Sequence, residues 1–286
     1  MFAIDSVKSF CINLDKRQDR WERMAIQPEI KRIPNLKRFS AVEGAAINID
    51  TDARISTLCR FNIKNHTRRS HDLLDSAGGV GCALSHITLW QNLVKSHENV
   101  FLVVEDDLVL QSGDWSRVRR LYEQNTWLQD STKWDIWSIG NLRCRAGPNN
   151  PYPNEGKKED KWLECKEFVG FNSYFISKTG AQKLLKECFP IQHHIDWFTG
   201  FYAQTHPDFK IVFNKSLNLD QDEAFAGKEL SDIRTKDVCH ICDLPSDVEL
   251  SHMIFKKETF ASGIIGLVAV GILIAGSFAL RKMKVI

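Results

Sequence analysis

The sequence predicts an α/β domain built on a parallel or mixed sheet, followed by a membrane-spanning helix. Three observations carry that prediction. Val100 to Val104 is a short apolar run rich in β-branched residues, which reads as a central strand. Before it, Leu84, Ile87, Leu89, Trp90, Leu93 and Val94 recur at three- and four-residue spacing, marking one face of a helix over Ala83 to Val94. Phe260 to Leu280 holds 21 uncharged, mostly apolar residues, enough as a helix to span roughly 30 Å.

In chain order, Val7 to Leu14 reads as the first strand, and the first helix begins over Arg20 to Met24. A strand-to-helix turn of this kind suits a phosphate, with backbone amides and Arg17 or Arg20 near it. Phe39 to Val42 is a second strand closed by Gly44, while Asn48 to Ser76 is polar, weakly periodic and assigned no chemistry. Gly78, Gly79 and Gly81 imply a tight turn or a close backbone approach. Past the central strand, Trp115 to Trp127 is expected to be helical and Trp134 to Ile139 extended. Asn141 to Asp160, with three prolines, two glycines and four asparagines, is expected to be a long loop. Phe168 to Ile176 reads as one strand and Lys178 to Cys188 as a helix with Ala181, Leu184, Leu185 and Cys188 on one face.

Glu105, Asp106 and Asp107 end the central apolar run, where a buried strand leaves the sheet and where open α/β sheets bind ligands. If the chain stays extended, Glu105 and Asp107 point one way and Asp106 the other. Three adjacent carboxylates repel one another unless a cation offsets their charge, and Mg²⁺ or Mn²⁺ suits an all-oxygen donor set. A second polar cluster, Gln192 to Trp197, contains His193, His194 and Asp196; with His206, these histidines are further candidate metal ligands.

Composition bounds the rest. With 286 residues, 43% of them hydrophobic and a net charge of +2, the chain is ordinary globular material with no case for a nucleic-acid partner. Its eight cysteines are too sparse for a disulfide scaffold, and Cys239-His-Ile-Cys242 lacks a second pair at zinc spacing. The expected organisation is a domain over 1–235, a polar linker over 236–259, the span over 260–280 and a basic tail over 281–286.

The run from Gly78 through Gly-Cys-Ala-Leu-Ser-His86 to Glu105-Asp-Asp resembles glycosyltransferase family 25, which includes lipooligosaccharide and collagen hydroxylysine galactosyltransferases. Four further segments match in order: Phe10 to Met24, Arg38 to Gly44, Ser173 to Leu185, and Gln221 with Ser231 to Arg234. The resemblance implies a single Rossmann-like nucleotide-sugar-binding domain of the GT-A type. It implies transfer of a hexose, galactose or glucose, from a UDP-sugar to an acceptor hydroxyl with inversion, on a glycan, glycolipid or protein. It also implies Asp106 and Asp107 as Mn²⁺ or Mg²⁺ ligands, with Asp107 catalytic through the metal and Asp196 as general base. Asn13, Arg17, Arg20, Glu43, Ser85, His86, Glu105 and Asp106 would contact the donor. The alternative is an inactive, membrane-anchored binding module of the same fold; a metal-dependent phosphohydrolase ranks last.

No basic region followed by an apolar stretch opens the chain at Met1. A tail-anchored protein with a cytosol-facing catalytic domain is therefore expected, held in the bilayer through 260–280. Asn65-His-Thr and Asn214-Lys-Ser fit the glycosylation pattern, which matters only for a lumenal domain.

Overall fold

The computed structural model describes residues 1–140, 143–146, 161–217 and 219–221. The chain divides into two units, Met1–Asp237 and Val238–Ile286, and all described residues lie in the first. The proposed span 260–280, the Cys239–Cys242 pair and Ser231 to Arg234 lie outside the described residues. Among the described residues no helix is long and apolar enough to cross a membrane.

Strand β1 (Lys8–Asn13) leads into helix α1 (Gln18–Ala25), followed by β2 (Leu36–Ser40), α2 (Thr57–Asn65) and α3 (Ala77–Lys95). Strands β3 (Val100–Glu105) and β4 (Leu108–Val109), helices α4 (Asp114–Gln124) and α5 (Thr126–Gln129), and strands β5 (Ile136–Ser138), β6 (Arg143–Ala146), β7 (Trp162–Val169) and β8 (Ser173–Ser177) come next. Helices α6 (Lys178–Leu184) and α7 (Ile195–Thr205) and strands β9 (Ile211–Asn214) and β10 (Asp220–Gln221) complete the order. Eight strands form one mixed sheet in the order β2-β1-β3-β8-β5-β9-β7-β6, with β10 and β4 paired separately.

The central strand is buried on both faces. Phe101 and Val103 face a core shared with α3, α6 and α7, while Val100, Leu102 and Val104 face another shared with α1 and α4. Side chains alternate along a strand, so an uninterrupted apolar run is what a sheet covered by helices on both sides needs.

Four expectations change. The glycines at 78, 79 and 81 do not form a turn before α3; they lie in its first turns, because Ser76 caps the helix by accepting a hydrogen bond from Gly79 N–H at 3.1 Å. The alternative, close approach, is what Gly81 provides: a Cβ there would sit 2.5 Å from the Val42 carbonyl oxygen, and one on Gly44 2.2 Å from that of Ala77. The single strand expected over Phe168 to Ile176 is two, β7 and β8, reversed through Gly170, whose φ of 110° favours glycine. The loop expected from Asn141 contains β6, paired with β7. Finally, Asn214 is fully buried, so its glycosylation pattern is closed to modification in the folded domain, whereas Asn65 is exposed.

Candidate functional site at the strand ends

Strand β1 lies between two parallel neighbours, and its register pairs Asn13 with Ser40 of β2 and Ile12 with Glu105 of β3. The carboxyl ends of all three strands therefore meet at one edge, where the strand order reverses and ligands of doubly wound sheets bind. A cleft opens there. Of the residues expected in the site, Asn13, Arg20, Glu43, Ser85, Glu105, Asp106 and Asp107 line it.

Alternation along β3 sends Glu105 toward α3 and Asp106 toward α1. Past Glu105 the chain turns, so Asp107 does not return to the Glu105 side and instead joins Asp106. Arg20 of α1 spans both acids, its Nη2 lying 2.6 Å from Asp106 and 3.3 Å from Asp107. Asn13 Nδ2 donates to Asp106 at 2.6 Å and to the Arg17 carbonyl at 2.8 Å, while its Oδ1 accepts from Arg38 Nε at 2.6 Å. Burial raises the pKa of Asp106, against the pull of Arg20 and the Asn13 hydrogen bond. Burial, with Glu105 and Asp106 nearby, pushes Asp107 up to about 7 despite Arg20. Asp107 Oδ1 is buried with no hydrogen-bond partner among the described residues.

On the other side, His86 lies behind Glu105, its Nε2 3.2 Å from Glu105 Oε1 and its Nδ1 2.8 Å from the Tyr174 hydroxyl. Ser85 donates to the Gly81 carbonyl at 2.7 Å and accepts from Val42 N–H at 2.9 Å, which fastens the β2 loop to α3. Among the described residues, the atoms of metal-ligand type that gather within 4.8 Å of one another belong to Cys82, His86 and Glu105. Burial first, then the surrounding acids, hold the Cys82 thiol protonated.

Asp196 sits in the first turn of α7, partly buried, and accepts from its own helix at Trp197 N–H (2.8 Å) and from Gly170 N–H (2.9 Å). Burial raises its pKa, opposed by those two hydrogen bonds and reinforced by Glu105. It thus does the work of a helix-end aspartate while lying within electrostatic reach of the cleft. Arg17 forks onto Asp19 at 3.0 Å through two nitrogens, and Glu43 meets Lys16 at 3.3 Å at the cleft rim. The three histidines expected as further metal ligands are engaged elsewhere: His193 with Asp72 at 2.6 Å, His194 with Arg68 at 3.2 Å and His206 with Glu187 at 3.2 Å. Gln221 pairs through its backbone with Leu108, next to Asp107. Sequence reasoning missed Arg38, Tyr174 and Trp90, which read as surface or core residues; the one available signal was that Cys82, His86 and Trp90 share a helical stripe at four-residue spacing.

The family model described as "Glycosyltransferase family 25 (LPS biosynthesis protein)" matches residues 6–199. The chain is 29% identical over 178 residues to procollagen galactosyltransferase 1 of Danio rerio, covering 62% of this chain and 28% of that protein. It is 28% identical over 182 residues to procollagen galactosyltransferase 2 of Homo sapiens, covering 62% and 27%. A protein called probable inactive glycosyltransferase 25 family member 3, of Bos taurus, is 26% identical over 205 residues, covering 70% and 32%. The chain thus spans less than a third of the length of these relatives. The family match extends over all three strands and all three acids that build the cleft, and on that ground the chain belongs to glycosyltransferase family 25.

Proposed function

We propose that the domain transfers a hexose, galactose or glucose, from a UDP-sugar to the hydroxyl of a glycan, glycolipid or protein with inversion. The observation that carries this is Asp107 Oδ1, a buried carboxylate oxygen without a partner beside Asp106 and Arg20. Such an atom fits a hard divalent cation, because leaving it bare costs about 1–3 kcal/mol. Asp106 and Asp107 would hold Mn²⁺ or Mg²⁺, which supplies positive charge to offset the departing diphosphate. Arg20 adds a fixed cation on the same side and orients the phosphates. Asp196 takes the acceptor proton as the hydroxyl attacks, its raised pKa bringing it closer to the working pH.

The inactive-module reading has one observation in its favour. Arg20 already bridges both acids, so the fold tolerates them without a metal. UDP release by the full chain, with a panel of UDP-sugars and with or without Mn²⁺, separates the two. Metal-dependent release that vanishes in Asp107→Ala upholds transfer and identifies the donor. UDP binding without release upholds the module instead.

The bilayer anchor over 260–280 stays a proposal from its sequence pattern. Cys165 is disulfide-bonded, which argues for an oxidising compartment over the cytosol-facing placement. Thiol labelling of Cys165 after denaturation of the membranes, with and without prior reduction, tests the compartment.

A further inference from the structure

We propose that Trp90, Tyr174 and His86 form a one-way hydrogen-bond relay whose last donor, His86 Nε2–H, fixes the position of Glu105 in the cleft. His86 and Tyr174 are then positioning residues for the transfer reaction, and this part of the inference rests on that reading. The direction follows from donor inventory. Trp90 Nε1 lies 3.0 Å from the Tyr174 oxygen, and an indole nitrogen can only donate. The Tyr174 oxygen therefore accepts, and its own proton needs an acceptor. His86 Nδ1, 2.8 Å away, is that acceptor. With Nδ1 accepting, neutral His86 carries its proton on Nε2, which faces Glu105 Oε1 at 3.2 Å.

The surroundings keep the relay dry and its members in place. Trp90, Tyr174 and His86 are all 0% exposed. Phe171 stacks on Tyr174 at 4.3 Å and on His86 at 5.5 Å, and its ring meets Trp90 edge-on. Strand register explains the placement: Tyr174 pairs with Val103 on the face of the sheet that α3 covers, and His86 and Trp90 lie one turn apart on α3. Glu105, two residues after Val103, emerges on that same face.

The competing reading is a soft metal ion held by Cys82, His86 and Glu105, whose ligand atoms gather closely enough. Binding at Nε2 would move the His86 proton to Nδ1. The Tyr174 oxygen would then accept twice, and its hydroxyl proton would be stranded in a dry pocket at a cost of about 1–3 kcal/mol. The relay satisfies every donor.

The test is a long-range ¹H–¹⁵N spectrum of the full chain labelled in histidine, with His86 assigned through His86→Gln, followed by kinetics. The relay predicts a proton on His86 Nε2 in the wild type and a mixture of tautomers in Tyr174→Phe. It also predicts kcat falling about 10- to 100-fold in Tyr174→Phe, as outer-shell substitutions do, with KM for the UDP-sugar nearly unchanged. His86→Gln, whose amide can still donate, should retain at least tenfold more activity than His86→Leu, with thermal melts confirming that both are folded. A proton on Nδ1 in the wild type, stoichiometric Zn²⁺ uptake that removes the Nε2 proton, or an unchanged kcat in Tyr174→Phe overturns the relay. A wild-type chain that transfers no sugar removes the reading beneath the kinetic role. The spectrum then decides the relay alone.

Discussion

The two flanks of the acidic strand end are built on opposite plans. On the α1 side, Asp106 and Asp107 share one arginine, their pKa values are raised by burial, and Asp107 keeps an unpartnered oxygen. On the α3 side, Glu105 lies 3.2 Å from the Nε2 of a histidine held among aromatic rings. The first flank sets two acids against one arginine, an imbalance that a cation can relieve; the second backs a single carboxylate with a buried histidine and aromatic rings. One short loop thus separates a place where charge partners exchange from a place where orientation is held constant.

The largest expected effect comes from emptying the first flank. Asp107→Ala should lower transfer by more than the roughly 10⁴-fold that one positioned base supplies, measured as UDP release at saturating donor. An effect below 100-fold would erase the distinction between the flanks. Asp196→Asn, on the second flank, should lower kcat by about 10²- to 10⁴-fold and leave donor KM almost unchanged. A rise in donor KM alone would make Asp196 a structural helix-end residue.

Arg20→Met tests whether the arginine stands in for a metal. Without divalent ions it should destabilise the domain by about 3–5 kcal/mol, because two recessed carboxylates lose their partner. Mn²⁺ should recover much of that loss in a thermal melt, and no recovery would place the cation elsewhere. The smallest effect is that of pH. Asp107 has a folded pKa of about 7, above the usual unfolded value of about 3.9, so the metal-free fold binds the extra proton. Its contribution to stability is full below about pH 4 and is lost as pH rises toward 7. Mn²⁺ affinity should run the other way, weakening up to about tenfold per unit as pH falls below about 7, measured by calorimetry.

Much of this was legible in the sequence because periodicity and burial agree. The strand at Val100, the helix before it and the acids at its end follow from an apolar run meeting charge. What escaped depended on partners distant in the chain. Nothing local announces that Arg20 reaches Asp106 and Asp107, 86 and 87 positions on, or that Tyr174 is more than a core aromatic. Gly170 lay hidden inside an apparently continuous strand because the flanking residues on both sides are apolar. The stretch from Asn48 to Ser76, assigned no chemistry, supplies α2 and the acids that engage His193 and Arg68. Its polarity resembled a loop because the Asp72–His193 pairing is made across the fold, while Arg68 and Asp75 pair within the stretch itself.

The backbone contact between Gly44 and the start of α3, fastened by the Ser85 hydroxyl, has a mechanical consequence. With no side chains between them, the Val42 to Gly44 loop and the helix form one stiff wall of the cleft. A donor arriving there meets a surface that requires no ordering, so little conformational entropy is lost on that side of the ligand. If the cleft closes on a ligand, the movement has to come from elsewhere than this wall.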